Sequence, residues 1–330
     1  MAEINVLRDM IAKLKKNPKK IVFTEGTDER ILEAASRLLA GNYLTPVLVG
    51  NKQAVLDAAE LCGCNIHGAE IVAPDNFDRM DEMVSMFCEL RKSKGVTPEQ
   101  AKKTLAKGNY FGTMLVKMGI ADALLGGATY STADTVRPAL QLIKTKPGNK
   151  IVSSCFILAR PAASGKEEVL AMGDCAINIK PTTSDLVEIA KETAECSKVF
   201  GIDPKLAFLS YSTLGSGKGE DVDKMREATR MTKEAYPELP IEGELQFDAA
   251  VSPVVAETKC PGSQVAGYAN VFIFPDINAG NIGYKIAQRL GGFAAYGPIL
   301  LGLNAPINDL SRGCNAEEVY SMAIITAALV

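Results

Sequence analysis

Short apolar runs alternate with longer helix-periodic segments along almost the whole chain, and this alternation predicts an α/β fold with largely parallel sheets. "KIVFTEG" reads as a strand, followed by a helix around "DERILEAASRLLAG". In that helix Ile31, Ala34, Ala35, Leu38 and Leu39 recur at helical spacing, and Gly41 stands where a C-cap glycine belongs. "PVLVG" and "NKQAVLDAAELCG" repeat the unit, and "ADALLGG", "KIVSSCFILA", "KLAFLSYS", "NVFIFPD" and "GPILLGL" read as later strands. A further helix is expected to open near Asp185, with Glu188 completing a capping box, and to run to Gly201. The apolar segment Val319 to Val330 reads as a buried C-terminal helix. At 330 residues the chain exceeds the usual size of one hydrophobic core, so two domains are expected.

Charge and composition narrow the function. A net charge of −3 gives no electrostatic reason to expect nucleic acid as partner. No stretch approaches the roughly 18 apolar residues of a membrane span, so no membrane partner is expected. Met1 to Lys20 is charged throughout and lacks the apolar region of a secretory signal, which makes the cytoplasm the expected location. Lys13, Lys15, Lys16, Lys19 and Lys20 read as a solvated helix end, with polyphosphate contact as the alternative.

The eight cysteines are scattered and read as reduced thiols. Cys62-Gly63-Cys64 with His67 could suggest a metal, but a second ligand pair at zinc-like spacing is missing, and no metal is expected. His67 is the only histidine. Histidine triads, multi-histidine metal sites and histidine phosphocarriers are therefore strained readings, and acid–base work falls to carboxylates, Lys, Tyr or Cys.

Parallel α/β sheets bind ligands beyond the carboxyl ends of their strands. Four loops there are rich in Gly, Ser, Thr or Asn, and so able to offer N–H groups and hydroxyls to an anion. The first carries Thr129, Tyr130, Ser131 and Thr132 ahead of Arg137, whose guanidinium suits phosphate; the alternative is a polar loop whose hydroxyls cap a helix. "GSGKGE" fails the P-loop pattern because Gly219 follows Lys218. "DINAGNIGYKIAQRLGG" has no dinucleotide fingerprint; Asn281, Tyr284 and Lys285 suit either ligand contact or close helix packing. "NDLSRGCNAEE" sets Ser311, Arg312 and Glu318 around Gly313, although Asn315 with Glu318 is itself a capping box.

"GPILLGLNAPINDLSRGCNAEEVY" closely resembles the C-terminal signature of phosphate acetyltransferases. "STADTVRPALQLIKT", "ELRKSKGVT", "GELQFDAA" and "NVFIFPDINAGNIGYKIAQRLGG" resemble further segments of that family, in order and with compatible spacing. The resemblance implies two α/β domains, residues 1–147 plus 299–330 and residues 148–298, with an active-site cleft between them, and a homodimer. It also implies that coenzyme A, acetyl phosphate and phosphate are the partners and that no cofactor is needed.

Residue roles follow from the same resemblance. Arg312 and Arg91 are similar to the family's anion-binding arginines and Arg137 to a third substrate-contacting one. Ser131, Thr132, Asn281, Tyr284 and Lys285 are candidate substrate contacts. Ser311 corresponds to the serine that steadies the reacting carbonyl or thiol. Glu318 stands where the family usually has an aspartate, the base that removes the thiol proton. A free thiol with pKa of about 8.5 needs such a base near neutrality. The expected reaction is direct acetyl transfer in a ternary complex. Phosphate butyryltransferase, and a catalytically silent acyl-CoA or phosphate-binding module, are the alternatives.

Overall fold

The computed structural model describes residues 5–162 and 167–330. The chain forms two compact units, one made of Leu7–Pro147 with Leu303–Val330, the other built on Gly148–Gly302.

In the first unit β1 (Lys19–Phe23), β2 (Leu44–Val49), β3 (Glu70–Val72) and β4 (Ala123–Gly126) are joined by a returning strand, β11 (Ile307–Asp309). Their order is β11-β4-β1-β2-β3, and every pairing is parallel. Ile21, Val22 and Phe23 are completely buried in the centre of that sheet, as a strand covered on both faces requires. The last helix, Ala316–Ala328, is buried on nearly every side and packs beside helix Glu29–Gly41. Arg37 holds the pair together, stacked 4.1 Å from the Tyr320 ring centroid and 2.7 Å from Glu317.

Gly41 is not the C-cap the sequence suggests. It is the last helical residue, and Asn42 takes the left-handed position (φ 54°, ψ 45°), a conformation asparagine tolerates. Glycine is needed at 41 because a Cβ there would lie 2.0 Å from the buried Tyr43 ring.

The second unit holds β5 (Ser153–Pro161), β6 (Glu167–Gly173), β7 (Leu206–Leu209), β8 (Ile241–Leu245), β9 (Val271–Ile273) and β10 (Ala294–Leu301), in the order β10-β5-β6-β9-β7-β8. The β10/β5 and β5/β6 pairings are antiparallel and the others parallel. "GPILLGL" thus closes an antiparallel edge. The expected capping box is one turn earlier: Thr182 caps Thr183–Val199 with Asp185, while Glu188 accepts from the backbone N–H groups of Lys150 and Ile151.

Candidate active site

In the first unit β11, β4 and β1 are neighbours, so parallel pairing gathers the loops after their carboxyl ends. These are residues 24–28, 127–131 and 310–315. Leu310 N–H donates to the Gly126 carbonyl at 2.7 Å, carrying the β11–β4 register into the loops.

Arg30 ties the three together. Asp28 caps the helix by accepting from the Arg30 backbone N–H at 3.0 Å, and its two carboxylate oxygens take Arg30 Nε (2.9 Å) and Nη2 (2.7 Å). With the guanidinium so oriented, Nη2 donates to the Ala128 carbonyl, and Nη1 to those of Arg312 and Cys314, each at 3.0 Å. The fork geometry of arginine allows this grip on several acceptors. The bond from Arg30 holds the Asp28 carboxyl below its ordinary value, and Asp28 in turn holds Arg30 firmly protonated.

Two carboxylates, Asp309 buried and Glu25 partly so, brace the same loops. Glu25 Oε1 accepts from the N–H groups of Gly127 (3.0 Å) and Thr129 (3.2 Å), and Oε2 from Thr24 Oγ1 (2.7 Å). Thr24 Oγ1 also lies 2.7 Å from the Tyr130 hydroxyl. Asp309, at the end of β11, accepts from Thr132 Oγ1 (2.6 Å) and Thr135 Oγ1 (2.5 Å). Burial raises the pKa of both carboxyls against the opposing effect of these bonds. Gly127, at φ +102°, lets the chain pass Asp309; a Cβ there would lie 2.3 Å from its Oδ1.

Around this frame the candidate side chains divide into engaged and free. Ser311, Arg312 and Gly313 are exposed. Ser311 Oγ accepts from Gly313 N–H at 3.3 Å, and no hydrogen bond or ion pair among the described residues holds the Arg312 guanidinium. The capping box is fully formed: Asn315 Oδ1 accepts from Glu318 N–H (2.9 Å), and Glu318 Oε2 from Asn315 N–H (3.1 Å). Glu318 is nevertheless exposed, and its other oxygen is unengaged among the described residues. Thr132 is committed to Asp309, Ser131 donates to Asp134 Oδ2 (2.7 Å), and Arg137 reaches Asp134 only at 3.5 Å. The arrangement offers exposed guanidiniums, a serine hydroxyl and a carboxylate along one braced set of loops, suited to an anionic acyl donor.

Arg91 ends helix Met80–Leu90, and no hydrogen bond or ion pair of its side chain joins it to these loops among the described residues. Asn281, Tyr284 and Lys285 belong to the other unit. Asn281 Nδ2 donates to the Cys175 carbonyl at 3.0 Å, and Tyr284 is buried, stacked 3.9 Å from Phe156. The close-packing alternative therefore describes Tyr284, while Lys285 stays exposed over its ring.

Glu25, Arg30 and Asp309 were missing from the sequence-based site, and Tyr130 was named there only as a member of its loop. A signal existed for two of them: "FTEGTDER" follows the carboxyl end of the first strand, and Arg30 stands in the first turn of a helix, where the dipole disfavours a cation.

Residues 5–327 match the family described as "Phosphate acetyl/butaryl transferase", and the chain belongs to that family of acyltransferases. It is 54% identical over 309 residues to the phosphate acetyltransferase of Bacillus subtilis (strain 168), covering 94% of each chain. A phosphotransacetylase structure from Streptococcus pyogenes superposes with a TM-score of 0.92 at 52% identity, and one from Staphylococcus aureus with 0.90 at 48%, each covering 98% of both chains.

Two outcomes are expected from this geometry. Arg30→Lys keeps the charge but loses the fork, so the 310–315 loop drifts. Turnover should fall by about 10²-fold, the cost of a misplacement near 1 Å, with KM for acetyl phosphate changing far less; equal loss in both constants would contradict a positioning role. For Glu25 the sign is set by its raised pKa. Folded protein binds more protons than unfolded above the ordinary glutamate value, so this group's contribution to stability is complete below that value and is lost as pH rises through the folded pKa. Urea denaturation from acid to mildly alkaline pH should therefore show a shallower decline for Glu25→Gln than for the parent, with Asp309 supplying the remainder. Parallel curves would count against it.

Proposed function

We propose that the chain catalyses reversible acetyl transfer between coenzyme A and inorganic phosphate, by direct attack in a ternary complex. The observation that carries this reading is the Ser311–Cys314 turn, whose Arg312 and Cys314 carbonyls are gripped by Arg30 while the Arg312 guanidinium stays free among the described residues. The names of the relatives at 48–54% identity support acetyl as the acyl group.

In the direction of acetyl-CoA, Glu318 takes the thiol proton through the carboxylate oxygen its capping bond leaves unengaged. The sulfur forms a bond to the acetyl carbon, and the carbon–oxygen bond to phosphate breaks, phosphate leaving with the electron pair. Arg312, with Arg137 and Arg91, offsets charge on the phosphate, and Ser311 donates to the carbonyl oxygen. Coenzyme A and acetyl-CoA are substrates in this scheme, and no cofactor or metal takes part.

The homodimer belongs to the same reading, supported by exposed Ile282, Ile286 and Leu290 at four-residue spacing on helix Ile277–Leu290. So does a cytoplasmic location; no described helix is long and apolar enough to cross a membrane.

Purified protein given acetyl-CoA and phosphate should form acetyl phosphate, and butyryl-CoA should be the poorer donor. Absence of acyl phosphate with either donor would leave a binding module, and preference for butyryl-CoA the butyryl enzyme. Initial-rate lines that intersect are expected; parallel lines would contradict direct transfer. Arg312→Ala should lose most turnover with unchanged circular dichroism, since its side chain makes no structural bond to lose.

For Glu318 the two roles separate by substitution. Glutamine still caps, so Glu318→Gln should keep its melting temperature while turnover falls by about 10²–10⁴-fold, as general-base loss does. Glu318→Asp should retain substantial activity. A glutamine variant as fast as the parent would reduce Glu318 to a helix cap.

A further inference from the structure

Helix Lys52–Leu61 leaves the carboxyl end of β2 and leads through residues 62–69 into β3, the sheet edge opposite β11. Its end is closed tightly. Cys62 N–H donates to the Ala58 carbonyl (3.1 Å), Gly63 N–H to Glu60 (3.1 Å) and Cys64 N–H to Ala59 (2.8 Å). Gly63 is left-handed, at φ +68°, with nothing within 4 Å of where a Cβ would be. This turn brings the two cysteine side chains together, with Sγ of Cys62 and Cys64 2.7 Å apart.

Cys62 is exposed and Cys64 partly so, whereas Cys155, Cys175, Cys196, Cys260 and Cys314 are buried. Among the described residues no three His, Cys, Asp or Glu side chains converge as metal ligands, so the pair with His67 does not form a three-ligand metal site. Two thiols held in contact at the surface suit two-electron chemistry instead.

We propose that Cys62 and Cys64 form a reversible dithiol–disulfide site whose oxidant is a small neutral or cationic disulfide. The more exposed Cys62 loses its proton to water and attacks one sulfur of the small disulfide. A mixed disulfide forms at Cys62 and the first small thiolate leaves. Cys64 then gives up its proton and attacks Cys62 Sγ, which closes the internal bond and releases the second thiolate. The two released thiolates take up the two protons. Two protein thiols are oxidised and one small disulfide is reduced.

Burial, and then the bond to Cys62, push the Cys64 thiol up to about 12, which makes Cys64 the poorer first nucleophile and leaves that step to the more exposed Cys62. Once Cys62 carries the mixed disulfide, its own contribution to that elevation disappears. The charges of Glu33 and Glu29 also act on Cys64, which disfavours an anionic oxidant.

The full chain would be equilibrated with cystamine and cysteamine at a series of ratios, acid-quenched, alkylated and mapped by mass spectrometry. The peptide carrying both cysteines should lose two hydrogens without an adduct and recover them with dithiothreitol. Cys62→Ser and Cys64→Ser should each keep a cysteamine adduct on the remaining thiol, having no partner to expel it, and each should retain full transferase turnover. A lasting adduct on the parent, pairing of either thiol with Cys88, or full alkylation of both thiols at every ratio would overturn the proposal.

Discussion

The Arg30 guanidinium is the interaction on which the first unit's reaction loops depend. Parallel pairing of β1, β4 and β11 brings those loops to one edge, but it fixes only where they begin. Their course beyond the strands is set by one cation bonding to Asp28 and to the carbonyls of Ala128, Arg312 and Cys314. A charge-assisted bond is stronger than a neutral one, which suits Arg30 to this holding role. Arg30 and Arg312 are 282 residues apart in sequence, so this contact also joins the returning C-terminal segment to the first strand–helix unit.

Glu25 and Asp309 work against stability while they work for geometry. Asp309 is buried and Glu25 partly so, each accepts bonds that keep a loop in place, and desolvation raises the pKa of each. Neutral side chains of similar shape would cost less to bury, but would accept fewer N–H and O–H groups at once. The frame beneath the site therefore trades part of the folding free energy for fixed positions of Gly127, Thr129, Thr132 and Thr135.

Much of the fold was legible because most of its strands are contiguous apolar runs and its helices keep strict periodicity. The strands that escaped are those whose sequence hides burial. β11 is "IND", whose Asn308 is fully buried and bonded to Thr326 at 2.9 Å; β3 has three residues; β6 opens on Glu167 and Glu168; β8 is interrupted by Glu242 and Gly243. Within the site, the exposed members could be read from loop composition and from family resemblance. The partly buried Glu25 and Arg30 were missed despite their place after the first strand, because each looks like a solvated charge until its partners are known. For Tyr284 the sequence left ligand contact and close packing open, and the structure stacks its buried ring on Phe156.

Across the loops Arg30 bonds mainly to main-chain oxygens, and that has an evolutionary consequence. The shape of the 310–315 loop is insulated from the identity of the residues on it, since every amino acid supplies the same carbonyl. Substitutions at the exposed positions 311 or 312 can alter reactivity or acyl preference without first having to rebuild the turn. The loop is therefore a place where related enzymes can diverge in chemistry on an inherited backbone, so long as the residue at 30 does not change with them.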